Sequence, residues 1–336
     1  MRQEAVLPAD AVWAALPAQA AAVPEAELAE ATRAAGASAS AAGVSIRLLT
    51  ELADLKAVVR LYDEIWRPDP ARPPISTELL RALTKAGNYT SGAFDRSTGA
   101  MIGACAGFFG PPAHGELHSH IAGVLPSGLG RGVGFALKLH QRAWVLGEGA
   151  TSIAWTFDPL VRRNAYFNLV KLGARPAEYL ANFYGVMNDA INGTVESDRM
   201  LVRWDLRSPL VADASAGTAH AASAAAELDR GATVALSVDA DGGPAGGPIA
   251  GPIAGTSPAG GLGNAGGLGG ANAAGSTRVL VAVPPDIEAM RAIDPGRAAA
   301  WRAALRDVLA PALAEGGRVT AFDRAGWYVI EPAITR

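Results

Sequence analysis

The chain has 336 residues, half of them hydrophobic, with a net charge of −3 and one cysteine. That length holds one large domain or two modest ones around a sizeable core. The near-neutral charge gives no basis for a nucleic-acid or acidic-membrane partner, and the lone Cys105 excludes an internal disulfide framework and any CxxC metal or redox motif.

Residues 1–43 are Ala-rich and low in complexity, with scattered Pro and Glu, and read as a mobile N-terminal extension. Acidic residues stand where a signal peptide needs positive charge, and no window approaches a membrane span. A reducing cytoplasm is the expected location. Cys105 lies in an apolar, strand-like run and reads as core.

Globular character starts at Val44. Val44–Leu49 reads as a strand. Leu52, Leu55, Val58, Val59, Tyr62 and Trp66 follow at helical spacing. After a proline-rich break, Ser76 caps a second helix that ends near Gly87. Tyr89–Asp95 and Ala100–Phe109 read as a hairpin, and Leu117–Val124 as the next strand. A helix follows with Val133, Ala136, Leu137, His140, Ala143 and Trp144 on its apolar face and Lys138, Gln141 and Arg142 pointing elsewhere. Ser152–Phe157 alternates as a strand, Arg162–Leu172 reads as a helix closed by Gly173, and strands follow near Tyr179–Met187 and Met200–Leu206. The order β-α-α-β-β-β-α-β-α-β-β makes 44–206 one domain with a mixed sheet.

Residues 207–336 read as a C-terminal α+β module interrupted by a Gly/Ala/Pro-rich disordered segment, 241–277, in which PIAG and GGLG each occur twice. Thr233–Val238, the strand beginning at Arg278 and a hairpin turning at Arg324–Gly326 supply its sheet. Arg297–Glu315 supplies its helix, which Pro311 is expected to kink or split. The module carries no chemistry motif and is expected to pack on the first domain or at a homodimer interface.

The chemistry concentrates in Leu117–Leu146, a strand, a turn carrying Gly128, Gly130, Gly132 and Gly134, and an amphipathic helix. Such a turn offers unpaired N–H groups at the positive end of a helix dipole, which suits phosphate. A P-loop needs Gly where Val133 stands and a Lys-Ser/Thr pair that is absent. The dinucleotide fingerprint needs Gly at its sixth position, and counting from Gly128 or Gly130 gives Val133 or Phe135.

The run Val124-x-Pro126-x-x-Leu129-Gly130-Arg131-Gly132-Val133-Gly134 resembles the acyl-CoA motif of the GNAT N-acyltransferase superfamily, Arg/Gln-x-x-Gly-x-Gly/Ala after a strand often ending in Val-x-Pro. Asn164, Ala165 and Lys171-Leu172-Gly173 are similar to that fold's last helix. The resemblance covers about Val44 to Leu206. It implies an α/β (α+β) fold, with a mixed, mostly antiparallel sheet flanked by helices. It further implies acyl transfer to a primary amine of a small molecule by direct attack, with acetyl-CoA the default donor, and no metal. Some relatives instead use succinyl-CoA on amino acids.

On this resemblance, backbone groups near Ala122 and Val124 hold the pantetheine. Leu129, Gly130, Arg131, Gly132, Val133 and Gly134 hold the pyrophosphate, and Asn164 and Phe167 complete the cofactor set. Two positions depart from the pattern. Leu129 replaces the usual Arg or Gln, leaving Arg131 as the nearby charge, and Leu169 replaces the usual thiolate-protonating Tyr, with Tyr166 one turn earlier. The two losses leave open a non-catalytic CoA-binding or interaction module.

His118 and His120 share a strand face just before the turn. One of them, His120 first, with Glu116 as helper, suits proton acceptance from the attacking amine at neutral pH. The alternative is a pair of partly buried, hydrogen-bonded histidines. A metal site would need further ligands than His114 and Glu116 supply. His140 reads as core, Asp158 as a helix cap, and Tyr179, Phe183 and Tyr184 as aromatic core or as the lining of an acceptor pocket.

Overall fold

The computed structural model describes residues 23–69, 73–111, 114–187, 196–219, 221–247 and 278–333. The Pro- and Gly-rich repeats of the C-terminal half lie outside these residues. The chain begins with α1 (Glu25–Ala41), followed by β1 (Val44–Leu48), α2 (Leu52–Trp66) and α3 (Thr77–Lys85). Then come β2 (Thr90–Asp95), β3 (Met101–Phe109), β4 (Glu116–Val124), α4 (Val133–Gly147), β5 (Ser152–Phe157), α5 (Arg162–Tyr166), β6 (Arg175–Leu180) and β7 (Arg199–Asp205). These strands form one sheet in the order β1-β2-β3-β4-β5-β7-β6. Every neighbouring pair is antiparallel except β4 and β5. This is the mixed, mostly antiparallel sheet flanked by helices that the resemblance implies.

Local sequence explains the elements. In α2, Leu55, Val58, Leu61 and Tyr62 recur at helical spacing and are buried against Leu49, Leu80, Ala104 and Ala106 on one face of the sheet. Ser76 Oγ accepts the Leu79 N–H at 3.2 Å and starts α3. The β2–β3 hairpin turns on Asp95, whose Oδ1 accepts the N–H groups of Ser97 and Thr98, with Gly99 at φ +72°.

The rest of the chain adds α6 (Pro209–Ser215), α7 (Ala224–Asp229), β8 (Thr233–Val238), β9 (Pro244–Gly246), β10 (Val279–Ala282), α8 (Ile287–Ile293), α9 (Pro295–Ala314), β11 (Arg318–Asp323) and β12 (Trp327–Glu331). Its sheet has the order β11-β12-β10-β8-β9. One hydrophobic cluster runs from Trp155 and Trp204 beside the first sheet to Trp301, Trp327 and Tyr328 beside the second. Helix α9 packs on β6, and β11 packs on β6 and on the segment after α5.

The structure departs from the sequence reading in several places. Residues 25–41, read as mobile, form a helix that lies along α4 and buries Ala31, Ala35 and Ala39. Small alanines allow this close approach without large apolar anchors. With α1 in place, α4 is covered on both sides, so Lys138, Gln141 and Arg142 are buried rather than solvated. Arg142 donates to Leu206 O at 3.2 and 3.1 Å and pairs with Glu30 of α1 at 3.0 Å.

The strand expected near Tyr179–Met187 lies earlier, as β6, because Asp198 accepts the Asn182 N–H and turns the chain there. Segment 241–277 begins with an ordered hairpin, since β9 pairs with β8. Helix α9 continues unbroken through Pro311, which lies in its last turn. The helix expected over Arg162–Leu172 is α-helical only to Tyr166 and then π-helical from Phe167 to Lys171.

Candidate functional site

Strands β4 and β5 pair only over Glu116↔Ser152, Leu117↔Ile153 and His118↔Ala154. Beyond these residues β4 stays paired to β3 as far as Val124, and β5 to β7 as far as Phe157. The two strands therefore continue without each other, and a V-shaped gap opens after His118 and Ala154. Between Ala106↔Ile121 and Phe108↔His118, β3 advances two residues and β4 three, so β4 carries a bulge at Ser119–His120. Leu125 N–H donates to Ile102 O on the β3 side. By the strand's period of two, Gly123 faces β3 and the backbone groups of Ala122 and Val124 face the gap.

The gap leads to the glycine turn. A single 3-10 turn, Pro126–Gly128, ends at the exposed Leu129, and α4 begins at Val133. Gly130 and Gly132 have φ of +75° and +86°, a conformation L side chains rarely adopt, and a Cβ on either would meet nothing within 4 Å. Glycine is required there by backbone conformation, with open space above. The N–H groups of Val133, Gly134 and Phe135 lie in the first turn of α4, the positive end of its dipole.

Arg131 does not face the gap. Its guanidinium donates to Asp95 Oδ2 at 2.7 Å and to Ala42 O at 3.2 Å, tying the start of α4 to the β2–β3 hairpin and the end of α1. Hydrogen bonds from Ser97 and Arg131 hold the Asp95 carboxyl well below the usual carboxylate range. The charge expected to meet phosphate is thus committed to a structural clamp, and the turn offers backbone donors.

His118 and His120 are brought together, with ring centroids 6.1 Å apart and Phe108 at 5.2 and 5.8 Å. Burial pushes both imidazoles below their ordinary value, and His120 also bonds the Pro74 backbone ahead of α3. Glu116 is not its helper. Glu116 Oε2 accepts from Ser152 Oγ at 3.0 Å and Arg203 Nε at 3.1 Å, at the closed end of the gap and nearer His118. Tyr166 is drawn to the C-terminal hairpin, where the Arg324 guanidinium lies 5.7 Å from its ring. Asn164 sits in the middle of α5, half-buried, and Phe167 opens the π-turn against the core. That turn presents Asn168 instead, whose Oδ1 accepts Trp155 Nε1–H at 3.2 Å. Leu169 is buried.

Sequence reasoning missed Ser119, Lys138, Trp155 and Asn168. These four meet on the α4 side of the sheet at the apex of the gap. The available signal was a lysine inside the apolar run Phe135–Leu139.

The C-terminal module flanks the far end of β5. Asp158 caps the following turn, its Oδ1 accepting Leu160 N–H at 3.0 Å. Its Oδ2 also pairs with Arg291 of α8 and with Arg302 of α9 at 3.2 Å, while Arg199 of β7 lies at 3.8 Å. Asp198 binds Arg306 of α9 and accepts from the Tyr179 hydroxyl at 2.7 Å. Past the apex, Thr156 Oγ1 meets the Tyr184 hydroxyl at 3.2 Å. An open groove of about 630 Å³ lies between α1 and the start of α4, lined by Arg33 and Ser38 of α1, Arg131 and Gly132 of the glycine turn, Phe135, and Ser215. Among the described residues no cluster of His, Cys, Asp and Glu is placed to hold a metal ion, and no helix is long and apolar enough to cross a membrane.

No protein-family model matches the sequence, and no curated protein does. Solved structures similar to the chain include an N-acetyltransferase from Staphylococcus aureus Mu50, 16% identical, covering 49% of this chain and 99% of that one with a TM-score of 0.41. The ribosomal-protein-S5-alanine acetyltransferase of Vibrio fischeri is 14% identical over 49% of this chain and 94% of its own, with a TM-score of 0.41. A GNAT superfamily phosphinothricin acetyltransferase from Sinorhizobium meliloti, in complex with AcCoA, is 17% identical over 48% of this chain and 87% of its own, with a TM-score of 0.39. The matches to these structures take in about half of the chain.

Proposed function

We propose that this protein is an acyl-CoA-dependent N-acyltransferase, with acetyl-CoA as the simplest donor and a primary amine of a small molecule as acceptor. The observation that carries the reading is the gap between β4 and β5 opening onto the glycine turn at the start of α4. The residues present fit such a donor. Ala122 and Val124 offer unpaired backbone groups along one wall, suited to an extended amide-bearing arm. The N–H groups from Gly130 to Gly134 suit a pyrophosphate, with Gly130 and Gly132 leaving the approach open. Bound there, the donor supplies a thioester carbonyl to the gap.

On this reading the chain's main work is orientation and electrostatics. His120, kept neutral by burial, accepts the proton the amine loses as nitrogen bonds to the acyl carbon and the carbon–sulfur bond breaks. His118 packs beside it through Phe108. The C-terminal module, through α9 against β6, walls the acceptor side, and the Phe183–Tyr184 pair after β6 lines its entrance. A succinyl donor and an amino-acid acceptor are the nearest variants of the same chemistry.

A thermal-shift series with acetyl-CoA, succinyl-CoA and CoA, followed by thiol-release assays over an amine panel, tests the proposal. Stabilisation with thiol release supports it, and no shift with any CoA species refutes it. Stabilisation without release from any amine favours the non-catalytic CoA-binding module, for which the loss of Tyr at Leu169 and the diversion of Tyr166 speak.

A further inference from the structure

Lys138 lies in the middle of α4 and is only 5% exposed. Its Nζ donates to Ser119 Oγ at 3.0 Å and to Gln141 Oε1 at 2.8 Å, and sits 3.8 Å from the Trp155 ring centroid, with Trp204 at 5.6 Å. Cys105 of β3 faces the same cluster, its Sγ 3.9 Å from Ser119 Oγ, and His118 feels the lysine's charge. No carboxylate pairs with Lys138 among the described residues. Its donors are satisfied, but its charge is not neutralised. Burial pushes the amine down to about 8, so it is still mostly an ammonium at neutral pH. Burying an ion is costly even after relaxation, and buried charges are ordinarily paired.

The position of this cation is specific. Ser119 and Trp155 are the first residues of β4 and β5 beyond the last paired residues, His118 and Ala154. The ammonium therefore bridges the two strands at the point where they part. Ser119 is five residues before Val124, so on the acyl-CoA reading an arm laid along β4 from the glycine turn runs toward it. Because Lys138 donates to Ser119 Oγ, the serine's own proton is free to be donated onward.

Resting on the acyl-CoA reading, we propose that Lys138, acting through Ser119, supplies the positive charge that stabilises the sulfur released at the apex of the gap, the task left open by Leu169. In the step, nitrogen bonds to the acyl carbon, the carbon–sulfur bond breaks, and the electron pair stays on sulfur. The amine's proton goes to His120, and Lys138 keeps its protons throughout. Lys138 is thus a positioning residue for charge rather than a proton donor.

The test reads the thiol ionisation of bound CoA by its thiolate absorbance across pH, in the full-length protein, K138M, K138R and S119A, with desulfo-CoA binding measured in parallel. The expected result is a thiol acidified at least tenfold on binding to the wild type, retained in K138R and lost in K138M and S119A. The apolar K138M side chain fills the same space, so a folded variant is expected. If the wild type binds desulfo-CoA and CoA but leaves the thiol at its free value, this inference is overturned while the acyl-CoA reading stands. Equal acidification in wild type, K138M and S119A overturns it too. If neither CoA nor desulfo-CoA binds, both fall.

Discussion

The glycine turn makes opposite predictions for two residues two positions apart. Gly132 caps α4 at φ +86°, while Gly134 has an ordinary helical conformation inside its first turn. A Cβ at residue 132 meets nothing, so G132A suffers only the backbone term for an L residue in the left-handed region, about 1–2 kcal/mol. A Cβ at 134 has Val124 Cγ2 at 3.7 Å, ordinary contact, so G134A gains the helix preference of Ala over Gly, about 0.5–1 kcal/mol. For a chain this long each kcal/mol moves the melting temperature by about 1–2 °C. Differential scanning calorimetry should therefore show G132A about 1–4 °C below wild type and G134A about 0.5–2 °C above. On the acyl-CoA reading, whose motif admits Ala at this position, acetyl-CoA titration should show binding retained in this more stable variant. Equal melting temperatures for G132A and wild type, or a destabilised G134A, would refute the conformational account of the turn.

Further outcomes follow from the same structure. A31D places a charge on the face by which α1 meets α4, where Ala31 is 1% exposed; it should lower the melting temperature by several degrees and open 25–41 to limited proteolysis. Removing the buried Asp158 carboxylate by D158N takes away the charge shared by Arg291 and Arg302 and should destabilise by about 3–5 kcal/mol in denaturant unfolding. R302M should cost far less, because Nε and Nη1 of Arg302 are buried without a hydrogen-bond partner. His118 and His120 bind protons less readily folded than unfolded. Their contribution is therefore constant above the unfolded value near 6.5 and declines as pH falls from there toward the folded values. An H118N/H120N double variant should flatten that acid-side loss of stability. On the proposed mechanism the acid limb of kcat/KM should lie below 6.5.

Local patterning was enough for much of this protein. Periodicity in Leu52–Trp66, the cap at Ser76 and the alternation in Ser152–Phe157 depend on near neighbours, and each element formed where the pattern placed it. The spacing of Gly130 and Gly132 and the element order around them were equally legible, because a positive φ demands Gly wherever the turn occurs. Side-chain partnerships across the sequence were not. Arg131 reads as a phosphate ligand until Asp95, 36 residues away, claims it, and Glu116 reads as a catalytic helper until Arg203 does. Lys138 reads as lying off the apolar face until α1 and the first sheet close over α4. Sequence by itself determined most of the helices and strands from Val44 to Phe157 and where the turn demands glycine, since those are local properties of the chain. Only the tertiary structure decided which charges are spent on holding the fold and which one is left buried at the parting of β4 and β5, since that depends on what long-range packing brings against each side chain.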